Sequence, residues 1–119
     1  MLEPFIGEIM LFAGDYAPSS WMFCRGQQLA IEEYPELFSI IGITYGWCGT
    51  NFGDKQIYTH FALPNLMCII PVGTSRQGTI LSPIELGEHN FIPTHGSSQK
   101  GTLGLNYCIC VEGIYPQRD

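Results

Sequence analysis

Five cysteines and three histidines are the residues of this chain best equipped for chemistry, and their spacing limits what they could do. Cys24, Cys48, Cys68, Cys108 and Cys110 contain no Cys-x-x-Cys, and no two stand with a histidine at zinc-site spacing. Two readings of them stand side by side. They are buried free thiols, in keeping with the burial habit of cysteine, or they form disulfides, which an oxidising compartment favours in a small domain. The odd number would then leave one thiol free or bridging two subunits. A thiol enzyme would need Cys24 or Cys48 beside a base such as His60, His89 or His95, and no local signature surrounds any such pair. Glu85, Glu88, His89 and His95 supply donors that suit a divalent ion, but a solvated polar loop accounts for them better. The glycines from Gly42 to Gly53 lack the Lys-Ser/Thr step of a phosphate loop. No catalytic residue, metal or cofactor is therefore assigned. What remains is stacking surface: Trp47, Phe52 and Tyr58 crowd one glycine-rich stretch, where aromatics contact a partner or simply cover the core.

The elements that must position these residues follow from local pattern. Gly7 to Ala13 is rich in Ile, Leu and Phe and reads as a strand with a buried face. After the turn residues 15–20, Trp21 to Cys24 reads as a second short strand, with Gln28 to Ile31 as its hairpin partner. Glu32 to Ile41 is the helix: Pro35 suits its first turn, acidic residues gather at its start, Gly42 stops it, and Leu37, Phe38, Ile40 and Ile41 form the buried stripe. Residues 42–60 read as a long loop. Asn65 to Val72 is continuously apolar, which predicts a strand buried on both faces, one of them by a neighbouring subunit. Residues 73–104 are the polar, variable middle. Tyr107 to Val111 reads as a central strand, with Cys108 and Cys110 on one face and Tyr107, Ile109 and Val111 on the other.

The bulk composition sharpens this. At 119 residues the chain makes one domain with one modest core. Hydrophobic residues make up 45% but charged residues only 13%, against roughly 25% in an ordinary soluble domain. So few charges cannot cover a monomer's surface, and contacts between subunits are the economical explanation. The net charge is −6 and the five basic residues are scattered, which argues against nucleic acid as a partner. No apolar run approaches the ~20 residues of a membrane-spanning helix. Glu3 and Pro4 stand where a Sec-type signal would carry positive charge and then apolar residues.

Three stretches, taken in order, resemble the phage tail-collar family, which includes the microcystin-dependent-protein-like proteins. They are Glu3-Pro4-Phe5-Ile6-Gly7-Glu8-Ile9-Met10-Leu11-Phe12-Ala13-Gly14 with Ala17-Pro18-Ser19-Ser20-Trp21 and its sequel to Gln27; Phe61-Ala62-Leu63-Pro64-Asn65-Leu66 with Pro71-Val72-Gly73; and Leu105 to Pro116. The chain departs from that pattern at Arg25, where an acidic residue is usual, in the longer 42–60 stretch, and in the middle, which keeps Ile92-Pro93-Thr94-His95 but no His-x-His pair.

The resemblance implies an α+β fold, a small β-rich single domain over residues 1–119 with one short helix. It also implies a structural subunit of an extracellular or virion fibre that assembles with copies of itself, as a trimer or as a helical filament by strand addition. The residues expected at that interface are Phe5, Ile6, Ile9, Leu11, Ile69, Ile70, Ile109, Val111 and Ile114. Trp47, Phe52 and Tyr58 are expected to meet a cell-surface glycan or receptor. A carbohydrate-binding module using those aromatics is the alternative, and a small thiol or metal-dependent enzyme the second.

Overall fold

The computed structural model describes residues 3–75, 83–89 and 101–118. The chain runs β1 (Ile9–Phe12), β2 (Trp21–Phe23), β3 (Gln28–Ala30), α1 (Pro35–Ile41), β4 (Trp47–Phe52), β5 (Lys55–Ala62) and β6 (Asn106–Cys110). This is the expected small β-rich α+β fold with one short helix. Two three-stranded sheets form, ordered β1-β6-β2 and β3-β5-β4, with every named pair antiparallel.

In the first sheet the late strand β6 lies between two early ones. Ile109 stands opposite Ile9 and Met22, while Cys108 stands opposite Met10 and Phe23. Directly paired residues share a face. One face therefore carries Ile9, Leu11, Met22, Tyr107 and Ile109, and the other carries Met10, Phe23, Cys108 and Cys110, as the alternation in β6 predicts. Residues Cys108 to Val111 are all buried, so β6 is covered on both sides.

The second sheet corrects two expectations. β3 does not fold back on β2; it pairs with β5, Leu29 opposite Phe61. The backbone between Phe23 and Gln28 bonds to other segments instead: Cys24 N–H donates to Tyr107 O at 2.9 Å, and Gly26 N–H to Pro64 O at 3.3 Å. Residues 42–60 are not a long loop either. Most of them form the β4–β5 hairpin, closed by Gly53-Asp54. Gly53 has φ +60°, the conformation that a two-residue hairpin turn with glycine first requires. A bulge falls between Cys48 and Gly49, and there a side chain on Gly49 would collide with the Ile57 carbonyl. Glycine at 49 therefore lets the two backbones approach.

The two sheets share one core, built from Ile6, Cys24, Leu29, Leu37, Phe61, Leu63, Ile109 and Val111. Cys24 is the joint. Its N–H bonds to Tyr107 in the first sheet, and its carbonyl accepts from Leu66 N–H at 2.9 Å just past β5. α1 begins later than expected, at Pro35, so Glu32 and Glu33 precede it and only Glu36 lies in its first turn. Leu37 is its one fully buried residue; Phe38 leans on Phe61 with ring centroids 5.4 Å apart, and Ile40 is exposed. At seven residues the helix depends on that packing.

The Asn65–Val72 stretch is not a strand buried on both faces. Met67, Ile69, Ile70 and Val72 are all exposed, Ile70 by 82%. Pro64 precedes the segment, Pro71 lies within it, and Cys68 adopts a left-handed backbone with φ 56°. Proline cannot donate to a ladder, and a left-handed residue breaks the extended run.

Candidate assembly surface

The edge of the first sheet is where the expected interface residues separate. β1 has β6 on one side and no named strand on the other among the described residues. Its Ile9 and Leu11 lie on the same face as the buried Ile109 but project past the core, 41% and 53% exposed. Just before β1 the chain pairs with its own C-terminal segment: Ile6 N–H donates to Ile114 O and Ile114 N–H to Pro4 O, each at 2.9 Å. A side chain on Gly113 would strike the Pro4 carbonyl, so the two ends pass close together there. Phe5 and Ile114, paired in that bridge, are both exposed. Phe5, Ile9, Leu11 and Ile114 thus belong to one ribbon of terminal segments.

Ile69 and Ile70 are also exposed, on the 66–72 segment. Ile6, Ile109 and Val111 are not available to a neighbour. They are 2%, 1% and 7% exposed and sit in the protomer's own core, because the pattern that marks a strand as apolar does not say which copy covers it. Composition had no means to single out Met67, Leu103, Leu105 and Tyr115, which are exposed as well. Met67 and Leu105 border one notch of about 50 Å³ with Cys24, Arg25 and Tyr107. Among the described residues, eighteen large apolar or aromatic side chains are exposed, against eleven buried hydrophobic residues.

The three aromatics of the hairpin do not form one patch. Trp47 and Tyr58 meet edge to face across Gly49, centroids 4.8 Å apart. Phe52, 67% exposed, belongs by register to the opposite face with Ile57. Trp47 stands opposite the buried Phe61 and is partly exposed, while Phe52 is largely exposed.

All five cysteines are free thiols, so none of the disulfide candidates is paired within the chain. Cys24, Cys108 and Cys110 are buried, and Cys48 and Cys68 are exposed. Burial pushes the Cys24 thiol up to about 12, with the neighbouring Cys108 adding to the effect. Burial likewise raises Cys108, against the pull of Arg25, and Cys110, against a backbone hydrogen bond at Glu112. The same desolvation raises the Tyr45 phenol, helped by Cys24. A thiol held protonated is a poor nucleophile, so Cys24 is unsuited to the thiol chemistry weighed for it. Among the described residues no group of three or more His, Cys, Asp or Glu is gathered to hold a metal. Glu88 instead accepts from the Glu85 N–H at 2.8 Å, closing a turn. His95 lies outside the described residues.

Residues 7–71 match the family model of the phage tail collar domain. The chain belongs to the phage tail collar domain family. No curated protein and no solved structure matches it. The matched span of the collar domain runs from the residue before Glu8 through β5 and the exposed 66–71 segment; the C-terminal motif lies beyond it, yet supplies β6, the strand on which the collar's first sheet is built. Membership gives the chain a structural role in a phage tail and associates it with the virion. Tail collar domains are not an enzyme family. No helix of the collar domain among the described residues is long and apolar enough to cross a membrane.

Proposed function

We propose that this collar domain is a self-assembling subunit of a virion or extracellular fibre. Its copies associate through the terminal ribbon of Phe5, Ile9, Leu11 and Ile114 and the 66–72 segment. The observation that carries this reading is the edge strand β1, whose outer side meets no named strand among the described residues while Ile9 and Leu11 stand exposed beside it. An edge of that kind invites another chain. Strand addition at β1 would extend the sheet from copy to copy, and a closed trimer would instead cover the apolar side chains about an axis.

Removing residues 1–12 is a poor test, because it also takes Ile6 from the core. Charged substitutions on the edge test the reading without that loss. In Ile9→Lys with Leu11→Lys, assembly falls to the monomer while far-UV circular dichroism is kept. Assembly unchanged by the double substitution rejects β1 as the contact.

The β4–β5 hairpin is the adhesive surface in this reading, supported by the Trp47–Tyr58 pair and by the exposed Phe52. If a cell-surface glycan is the target, glycan-array signal is lost in Trp47→Ala while assembly is unchanged. Signal that persists in Trp47→Ala and disappears in Phe52→Ala moves recognition to the other face.

A further inference from the structure

On the hairpin face opposite the Trp47–Tyr58 pair, Cys48 and His60 are direct cross-strand partners. We propose that Cys48 Sγ and His60 Nε2 form a two-donor surface site for a soft divalent ion such as Zn²⁺, with water completing the coordination. This site is independent of the assembly reading.

Three observations lead there. Register places the two side chains on one face, with Cβ atoms about 4.5–5.5 Å apart, as for any directly opposed antiparallel pair. An ion at ordinary Zn–S and Zn–N lengths spans about 3.6 Å between sulfur and nitrogen, within reach of both side chains at that spacing. Cys48 is exposed and His60 half-buried, so an ion can enter from solvent.

The third observation concerns the proton on the ring. The Thr59 hydroxyl donates to the Cys48 carbonyl at 3.2 Å, which uses its only proton. The same oxygen lies 2.9 Å from His60 Nδ1. With the Thr59 proton on the Cys48 carbonyl, the oxygen accepts in that contact, and the tautomer of neutral His60 that fits carries its proton on Nδ1 and leaves the Nε2 lone pair free. This is how a ligating histidine is commonly held, its other nitrogen bonded to an oxygen that fixes ring and tautomer. The bulge matters here: it places Thr59 as the extra residue beside His60, opposite neither Cys48 nor Gly49. On binding, the Cys48 thiol loses its proton to solvent and the thiolate coordinates.

Cobalt(II) is the probe, since a thiolate ligand gives it a near-ultraviolet charge-transfer band. Purified full-length protein, reduced and freed of metal by chelation, is titrated with Co²⁺. The expected result is a saturable band that is absent in Cys48→Ser, kept in Cys68→Ser, and weakened at least tenfold in affinity in both His60→Ala and His60→Gln. Thr59→Val keeps the band but loses roughly tenfold in affinity, the usual effect of removing such a support. No saturable band, a band that follows Cys68, or one indifferent to both His60 variants overturns the proposal. Circular dichroism of each variant confirms that the fold is intact.

Discussion

Raising the pH perturbs one buried atom whose response can be worked through. Cys24 is 3% exposed, and its thiol holds its proton up to about 12, against an ordinary value of 9.0. At pH 8 a thiol of ordinary acidity is roughly one-tenth thiolate, while Cys24 is about one part in ten thousand, a thousandfold less of the reactive form. In iodoacetamide labelling read by mass spectrometry, Cys48 and Cys68 are therefore modified first, and Cys24, Cys108 and Cys110 only after unfolding. The same shift links to stability. Below pH 9 both folded and unfolded chains keep the Cys24 proton and its full contribution is present. Between 9 and 12 the unfolded chain has lost that proton and the folded chain has not, so stability falls by about 1.4 kcal/mol for each pH unit. The raised Cys108 and Cys110 thiols act in the same direction. Urea midpoints measured from pH 8 to 11 should fall, and Cys24→Ala should flatten the slope. Native Cys24 labelling at the pace of Cys48, or a midpoint that holds to pH 11, would refute the reasoning.

Other consequences are more direct. Leu37→Ala empties the one buried position of α1 and should cost about 2–5 kcal/mol in urea unfolding; a loss below 1 kcal/mol would mean that the helix is not anchored there. Gly49→Ala should destabilise the hairpin and disturb the Trp47–Tyr58 contact, seen in tryptophan fluorescence, because the new methyl meets the Ile57 carbonyl. Ile70→Lys, at a position 82% exposed, should leave stability within about 0.5 kcal/mol while raising the concentration at which copies associate.

Much of the fold was legible where one rule sufficed. Alternation gave β6 and its two faces, Gly42 marked the stop of a helix that begins at Pro35 rather than Glu32, and the apolar run from Gly7 to Ala13 contained β1. The failures share a physical cause. Gln28–Ala30 pairs with a strand about thirty residues further on instead of its neighbour, and no local pattern encodes that choice. In the 42–60 stretch, two glycines concealed a hairpin because they read as loop residues, whereas one makes the turn and the other the close approach at the bulge. The Asn65–Val72 stretch is as apolar as a buried strand, but Pro64, Pro71 and the left-handed Cys68 keep it from forming one, so hydrophobicity alone assigned it wrongly. Among the expected interface residues, Ile6, Ile109 and Val111 went to the protomer's core and Phe5, Ile9, Leu11, Ile69, Ile70 and Ile114 to its surface. The sequence marks all nine as apolar, and only the burial that the folded chain gives each one separates them.

The proposed assembly requires that exposed apolar surface be covered by other copies of the chain. Light scattering coupled to size exclusion, run over a hundredfold dilution, measures this directly. The wild-type protein should elute as an oligomer, and the Ile9→Lys, Leu11→Lys protein as a folded monomer. A wild-type protein that is monomeric and soluble at every concentration would contradict it.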